Sequence, residues 1–195
     1  VGGMARVARI IDAIRSERGA DRTLVLDGGD ALQGSYTALA TRGADMVSVL
    51  EASGVEATTG HWEFTLGAER VRALYGDKNS GGKARLDFLA GNVVDTDFEE
   101  PVFQAQKIYE RAGVRIGVIG QAFPYTPIAN PRWMMPKWSF GIREKNLRSR
   151  VGDIRARGAD IVVLLSHNGF DVDRKLAARV AGIDVILTAH THDAL

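Results

Sequence analysis

Short runs of branched apolar residues alternate along this chain with stretches that have the spacing of an amphipathic helix. Residues 23–26 and 161–165 are clear examples of such runs, and polar residues follow each of them. Residues 4–14 place apolar side chains three or four positions apart, which is the period of a helix. Strands that are apolar on both faces need cover on both faces. The alternation therefore predicts an α/β fold with mostly parallel or mixed sheet layers flanked by helices.

The composition is typical of one folded domain and excludes several classes of protein. Of the 195 residues, 45% are hydrophobic and 25% are charged. Lys and Arg number 25 against 24 Asp and Glu, so no basic field attracts nucleic acid or an anionic membrane. The absence of cysteine excludes disulfides, thiolate catalysis and Cys-ligated metals. No apolar run approaches the roughly 18 residues of a membrane span. We expect no nucleic-acid partner and no membrane partner.

Polar side chains stand where the predicted strands end. Ligands of open α/β sheets bind beyond the carboxyl ends of the strands, and neighbouring ends of parallel strands lie about 5 Å apart. We therefore expect these side chains to gather along one sheet edge, although a lone Asn or Gln at such a place is by default a turn residue. They are Asp30, His61, Asn92, Gln121, His167 and His190.

All four histidines of the chain lie at these strand ends or just past them. A single histidine in such a place is most often a hydrogen-bonded core or surface residue. Four of them together with Asp30 favour a metal site, because imidazole and carboxylate are common ligands of manganese, zinc and iron. His190 and His192 are two positions apart, so they point the same way in a strand but can splay towards different ions in a turn.

Residues beside the candidate ligands have an ordinary explanation as well as a functional one. Gly28 and Gly29 suit a tight turn after a strand, and they equally suit a close approach of the backbone to a bound anion. Asp27 competes with its neighbour Asp30 as the ligand carboxylate but also suits a turn cap. Glu63 suits a surface position or a position beside the ligands.

These residues, in this order, resemble the motifs of the metallophosphoesterase superfamily in its 5′-nucleotidase branch. Within that branch, residues 27–35, 60–65 and 120–131 resemble the thiosulfohydrolases of bacterial sulfur oxidation. The resemblance covers essentially the whole chain, and the segments 60–64 and 121–125 are its most specific part. The motif segments are Gly28-Gly29-Asp30, Gly60-His61-Trp62-Glu63-Phe64, Ser166-His167-Asn168 and Ala189-His190-Thr191-His192.

The resemblance implies a site for two manganese ions. Asp30 would bridge the ions, and His61, His167 and His190 would complete the second ion's ligand set. His192 would bind the first ion, whose other ligands in the family are an Asp and a His with no counterpart in this chain. We expect residues 1–195 to be an internal part of a periplasmic enzyme's catalytic domain, with those two ligands upstream and the usual C-terminal domain beyond.

One departure from the phosphatase pattern bears on the chemistry. Phosphatase relatives have a histidine after the metal-binding residue, placed to protonate or stabilise the leaving group, and Trp62 stands there in this chain. An indole is neither acid nor base, whereas an alkoxide leaving group needs a proton far more than a persulfide does. The exchange favours cleavage of a sulfur–sulfur bond. The predicted catalytic residues are Asp30, His61 and Trp62.

The resemblance thus implies a hydrolase that releases sulfate from a cysteine-S-thiosulfonate on a sulfur-carrier protein, SoxYZ. Gln121, Tyr125 and Asn168 are the candidate substrate-binding residues. The Pro- and aromatic-rich segment 121–140 suits a channel for the carrier's arm as well as a structural cap over the sheet edge. A 5′-nucleotidase-like phosphoesterase and a metal-binding domain without turnover are the alternatives.

Overall fold

The computed structural model describes residues 3–77 and 80–193 of the chain. Helices and strands alternate at both ends of the chain as the apolar pattern predicts, whereas six strands of the described part follow one another without a helix between Tyr75 and Thr126. The α-helices are α1 (Met4–Arg18), α2 (Tyr36–Thr41), α3 (Ala44–Ala52), α4 (Ala68–Tyr75), α5 (Thr126–Ala129), α6 (Glu144–Ala156) and α7 (Phe170–Arg179). The strands are β1 (Leu26–Asp27), β2 (Ala57–Thr58), β3 (Gly76–Asp77), β4 (Ser80–Gly81), β5 (Asp87–Phe88), β6 (Val94–Asp95), β7 (Gln106–Arg111), β8 (Val114–Gln121), β9 (Trp138–Ser139), β10 (Ile161–Ser166) and β11 (Val185–Thr188).

Two sheets form the framework of the described residues. The first has three parallel strands in the order β1-β2-β5. The second has the order β11-β10-β8-β7, in which β7 alone runs antiparallel to its neighbour. A bridge between Leu89 and Gln104 links the segment after β5 to the segment before β7. The predicted α/β fold with parallel and mixed sheet layers is confirmed.

Packing of helix α6 shows how the sequence pattern covers a sheet. Leu147, Val151 and Ile154 are four and three positions apart, which places them on one face of the helix. That face packs into a buried cluster with Ile119 of β8 and Leu164 of β10. Burial of this apolar stripe holds α6 against the second sheet.

The segment 121–140 has more structure than a loop. It contains α5, a 3₁₀ helix (Arg132–Met134) and β9, which pairs antiparallel with β6. Trp138 is buried, and its ring packs edge-on against Phe64 and Phe103. Tyr125 and Trp133, by contrast, have exposed side chains. Residues 134–140 therefore pack against the core, while Tyr125 and Trp133 leave aromatic surface exposed.

Within the described ranges, no helix has both the length and the apolar character of a membrane span.

Gly120 lies where the two sheets meet. A Cβ atom there would lie 2.0 Å from the carbonyl oxygen of Leu89, which is backbone and cannot turn away. We expect Gly120→Ala to lower the free energy of unfolding by about 3 kcal/mol, measured by urea denaturation. The control is Gly152→Ala in α6, where no atom lies within 4 Å of the added Cβ. Alanine there should raise the free energy of unfolding by roughly 1 kcal/mol. Equal stability of both variants would contradict the close sheet junction.

Candidate metal centre

The turn after β1 presents Asp30 in an uncommon backbone conformation. Gly29 has φ 92° and Asp30 has φ 71°, so both residues lie in the left-handed region. A Cβ at Gly29 would lie 3.0 Å from the carbonyl oxygen of Thr59 and 3.2 Å from Nδ1 of His167. Glycine is therefore needed at position 29 for its φ and for the close packing of the turn. A non-glycine residue held in this region, such as Asp30, is typical of functional sites.

The structure brings four of the predicted ligands together. Asp30, His61, His167 and His190 each offer one donor atom, and these atoms all lie within 4.8 Å of one another. Oδ1 of Asp30 is 3.0 Å from Nδ1 of His61, and Oδ2 is 3.0 Å from Nε2 of His167. His61 and His167 are almost completely buried. Parallel strand ends and the turns after them supply all four side chains, as the sequence pattern predicts.

The unmatched ring nitrogens fit a cation. Nδ1 of His61 and Nε2 of His167 are buried, and neither has a hydrogen-bond partner among the described residues. Nδ1 of His167 donates to the carbonyl oxygen of Gly28, so in the neutral ring Nε2 presents its lone pair to the Asp30 carboxylate. Burial lowers the pKa of His167, but the contact with Asp30 outweighs it and raises that pKa above its ordinary value. A proton or a metal ion between the ring nitrogen and the carboxylate removes the repulsion of their lone pairs. The donor set therefore suits a divalent metal that accepts nitrogen and oxygen ligands.

Charge and burial act against each other at this group. Burial would raise the pKa of Asp30, but the imidazoles of His167 and His61 outweigh it and hold that pKa well below its usual range. Burial lowers the pKa of His190, and repulsion from the other two imidazoles lowers it further. The pKa of Glu63 is raised, chiefly by burial. The group thus stabilises Asp30 as a carboxylate and His190 as a neutral ring, which are the forms that bind metals.

A phenyl ring forms one wall of the group. The ring centroid of Phe123 lies 4.1 Å from that of His61 and 4.3 Å from that of His190, on which it stacks. The amide of Phe123 donates to the carbonyl oxygen of Gly60, which ties the segment after β8 to the turn that carries His61. Sequence reasoning did not give Phe123 a role in the site, although its position two residues past the end of β8 was a usable signal.

Two carboxylates beside the group have structural partners. Oδ2 of Asp27 accepts hydrogen bonds from the amide of Gly29 at 3.1 Å and from Oγ1 of Thr58 at 2.6 Å, so Asp27 caps the turn. Glu63 is buried, and its oxygens accept from the amides of Ala31 and His61. Glu63 is therefore not a surface residue.

The remaining predicted site residues lie outside the four-residue group. His192 is exposed, and its assignment to a first metal ion stays a prediction. The side-chain amides of Gln121 and Asn168 are buried and donate to the carbonyl of Ile142 and to Asp173, respectively. Tyr125 is the one substrate-binding candidate of the three with an exposed side chain. Nδ2 of Asn92 donates to the carbonyl oxygen of Ala122, and its Oδ1 accepts from the amide of Ala122, which fits its default role as a structural residue.

The chain is similar in sequence and structure to several known proteins. No protein-family model matches the chain. A probable 5′-nucleotidase of Treponema pallidum is 31% identical over 98% of this chain and 31% of its own length. The structure of sulfate thiohydrolase SoxB from Thermus thermophilus matches with a TM-score of 0.92 and 39% identity, over 100% of this chain and 35% of that one. The structure of a 5′-nucleotidase precursor from Thermus thermophilus matches with a TM-score of 0.82 and 30% identity, over 98% of this chain and 36% of that one.

The fold is that of the calcineurin-like phosphoesterases. In sequence, the chain is similar to proteins named as 5′-nucleotidases and as a 2′,3′-cyclic-nucleotide 2′-phosphodiesterase/3′-nucleotidase. It spans about a third of the length of the curated relatives that it matches.

Asp30→Asn tests the proposed ligand group with little change of shape. The amide removes the negative charge that faces both histidines, so the variant should lose metal through a desalting column when the complete protein retains it. Elemental analysis gives the metal content. The matched control is Asp12→Asn on the exposed surface of α1, which should keep the full content. A D30N protein with the metal content of the wild type would contradict the assignment of Asp30.

Proposed function

We propose that the complete protein is a metal-dependent thiosulfohydrolase that releases sulfate from a cysteine-S-thiosulfonate on a sulfur-carrier protein. The proposal includes manganese as the metal, the periplasm as the location and SoxYZ as the carrier. The observation that carries it is the residue next to His61. Trp62 stacks on the His61 ring with centroids 4.7 Å apart, and its amide donates to Oδ1 of Asp30 at 3.1 Å. A side chain without acid or base chemistry therefore stands directly beside the candidate metal ligands.

The chain's residues divide the work of such a reaction. Asp30, His61, His167 and His190 would hold the cation, and Phe123 and Trp62 provide apolar walls beside it. When bound, divalent ions supply hydroxide near neutral pH and offset charge on an oxyanion. In the hydrolysis the oxygen of water bonds to the sulfonate sulfur. The bond between that sulfur and the carrier's outer sulfur breaks, its electron pair stays on the carrier, and the two protons of water pass to the solvent. The products are sulfate and a carrier persulfide, which leaves without a proton from the enzyme.

A 5′-nucleotidase-like phosphoesterase is the second candidate, because the curated relatives by sequence carry that name. An alkoxide leaving group benefits from a proton donor, and the position beside His61 offers none. The SoxB neighbour at 39% identity favours the sulfur substrate over the nucleotide.

A direct comparison of substrates separates the two activities. The complete protein, loaded with manganese, is offered a carrier-bound thiosulfonate and a nucleoside 5′-monophosphate at equal concentration. We expect sulfate release with kcat/KM at least about 100-fold above that for phosphate release, in line with the value of a missing general acid. Efficient nucleotide turnover would reject the thiosulfohydrolase. Tight metal binding without turnover of either substrate would indicate a metal-binding domain that is not catalytic.

Trp62→His restores a proton donor at the position beside His61. We expect the variant to gain phosphatase activity of about tenfold or more, because general acid catalysis assists an alkoxide leaving group. Trp62→Phe is the control, since it keeps an aromatic ring and adds no acid, and its phosphatase activity should stay at the wild-type level. Phosphate release from a nucleotide gives the readout. Equal phosphatase activities of W62H and W62F would contradict the role of position 62 in leaving-group preference.

A further inference from the structure

Glu63 joins the two turns that carry the candidate ligands. Its side chain is 1% exposed. Oε1 accepts a hydrogen bond from the amide of Ala31 at 3.0 Å, and Oε2 accepts one from the amide of His61 at 2.7 Å. Ala31 directly follows Asp30 in the chain. One buried carboxylate is therefore bonded to the backbone on both sides of the contact between Asp30 and His61.

The two bonds need two acceptor atoms. A carboxylate offers acceptors on both oxygens, whereas the side-chain amide of glutamine offers one acceptor and one donor. In a glutamine variant of the same shape, one of the two backbone N–H groups would face an NH₂ group. A buried polar group left in that state is unfavourable, so the turns would move apart or rotate.

We propose that Glu63 is a positioning residue that sets the separation of Asp30 and His61 and thereby the affinity of the group for its cation. The proposal rests on the metal site proposed above. Glu63 itself binds no metal in this scheme, because its oxygens bond to backbone amides and it is not one of the four residues whose donor atoms cluster. Residues that orient ligands through hydrogen bonds typically contribute 10- to 100-fold to metal affinity.

Titration of Mn²⁺ into the metal-free complete protein tests this role. Glu63→Gln should raise the Kd for Mn²⁺ about tenfold or more. The matched control is Glu51→Gln, since Oε1 of Glu51 also accepts a backbone amide, that of Arg85 at 2.6 Å. Glu51 contacts none of the candidate ligands, and E51Q should bind Mn²⁺ as the wild type does.

Two further measurements separate positioning from a merely structural role. Amide hydrogen exchange of the metal-free protein should show that Ala31 or His61 loses protection in E63Q. A structural role alone would lower the unfolding temperature of E63Q and leave its Kd unchanged, and that result overturns the proposal. If E63Q does not fold, Glu63→Asp takes its place, because the shorter carboxylate cannot span both amides. An unchanged Kd in folded E63D also overturns the proposal.

Two results distinguish the metal site from the role of Glu63. If the wild-type protein binds no Mn²⁺, the metal site itself is contradicted. If the wild type and E63Q bind Mn²⁺ equally tightly, only the role of Glu63 is contradicted.

Discussion

The contact between one carboxylate and two buried imidazoles is the constraint on which the site depends. Both oxygens of Asp30 face ring nitrogens at 3.0 Å, and those nitrogens lack hydrogen-bond partners among the described residues. Such a group is costly to bury unless a proton or a metal ion completes it. The surrounding structure maintains it through the left-handed turn at Gly29 and Asp30, the phenyl wall of Phe123 and the hydrogen bonds of Glu63.

The candidate ligands follow strands of different sheets, so the junction between the sheets governs how closely they approach one another. Asp30 and His61 follow β1 and β2 of the first sheet, while His167 and His190 follow β10 and β11 of the second. The two sheets come together at Gly120, where the backbone of Leu89 leaves no room for a side chain. A site shared between two sheets requires that their spacing be rigid, and this close backbone contact provides it.

The proposed substrate depends on one feature of the site, which is the residue beside His61. Trp62 shares in the site through its ring and its amide, yet it offers no proton. Relatives of similar sequence and fold are named as nucleotidases. Under the proposed function, tryptophan at position 62 favours a leaving group that needs no proton, because leaving groups differ in their need for one.

The sequence by itself determined the α/β class, the alternation of elements and the set of polar residues at strand ends, because apolar periodicity and strand direction are local properties of the chain. It identified Asp30, His61, His167 and His190 as candidates but left Asp27 and Glu63 ambiguous. Only the tertiary structure decided that Asp27 caps its turn, that Glu63 bonds two turns, that Phe123 touches two imidazoles and that residues 134–140 pack against the core. Those roles depend on contacts between residues far apart in the chain, and such contacts exist only once the two sheets have packed together.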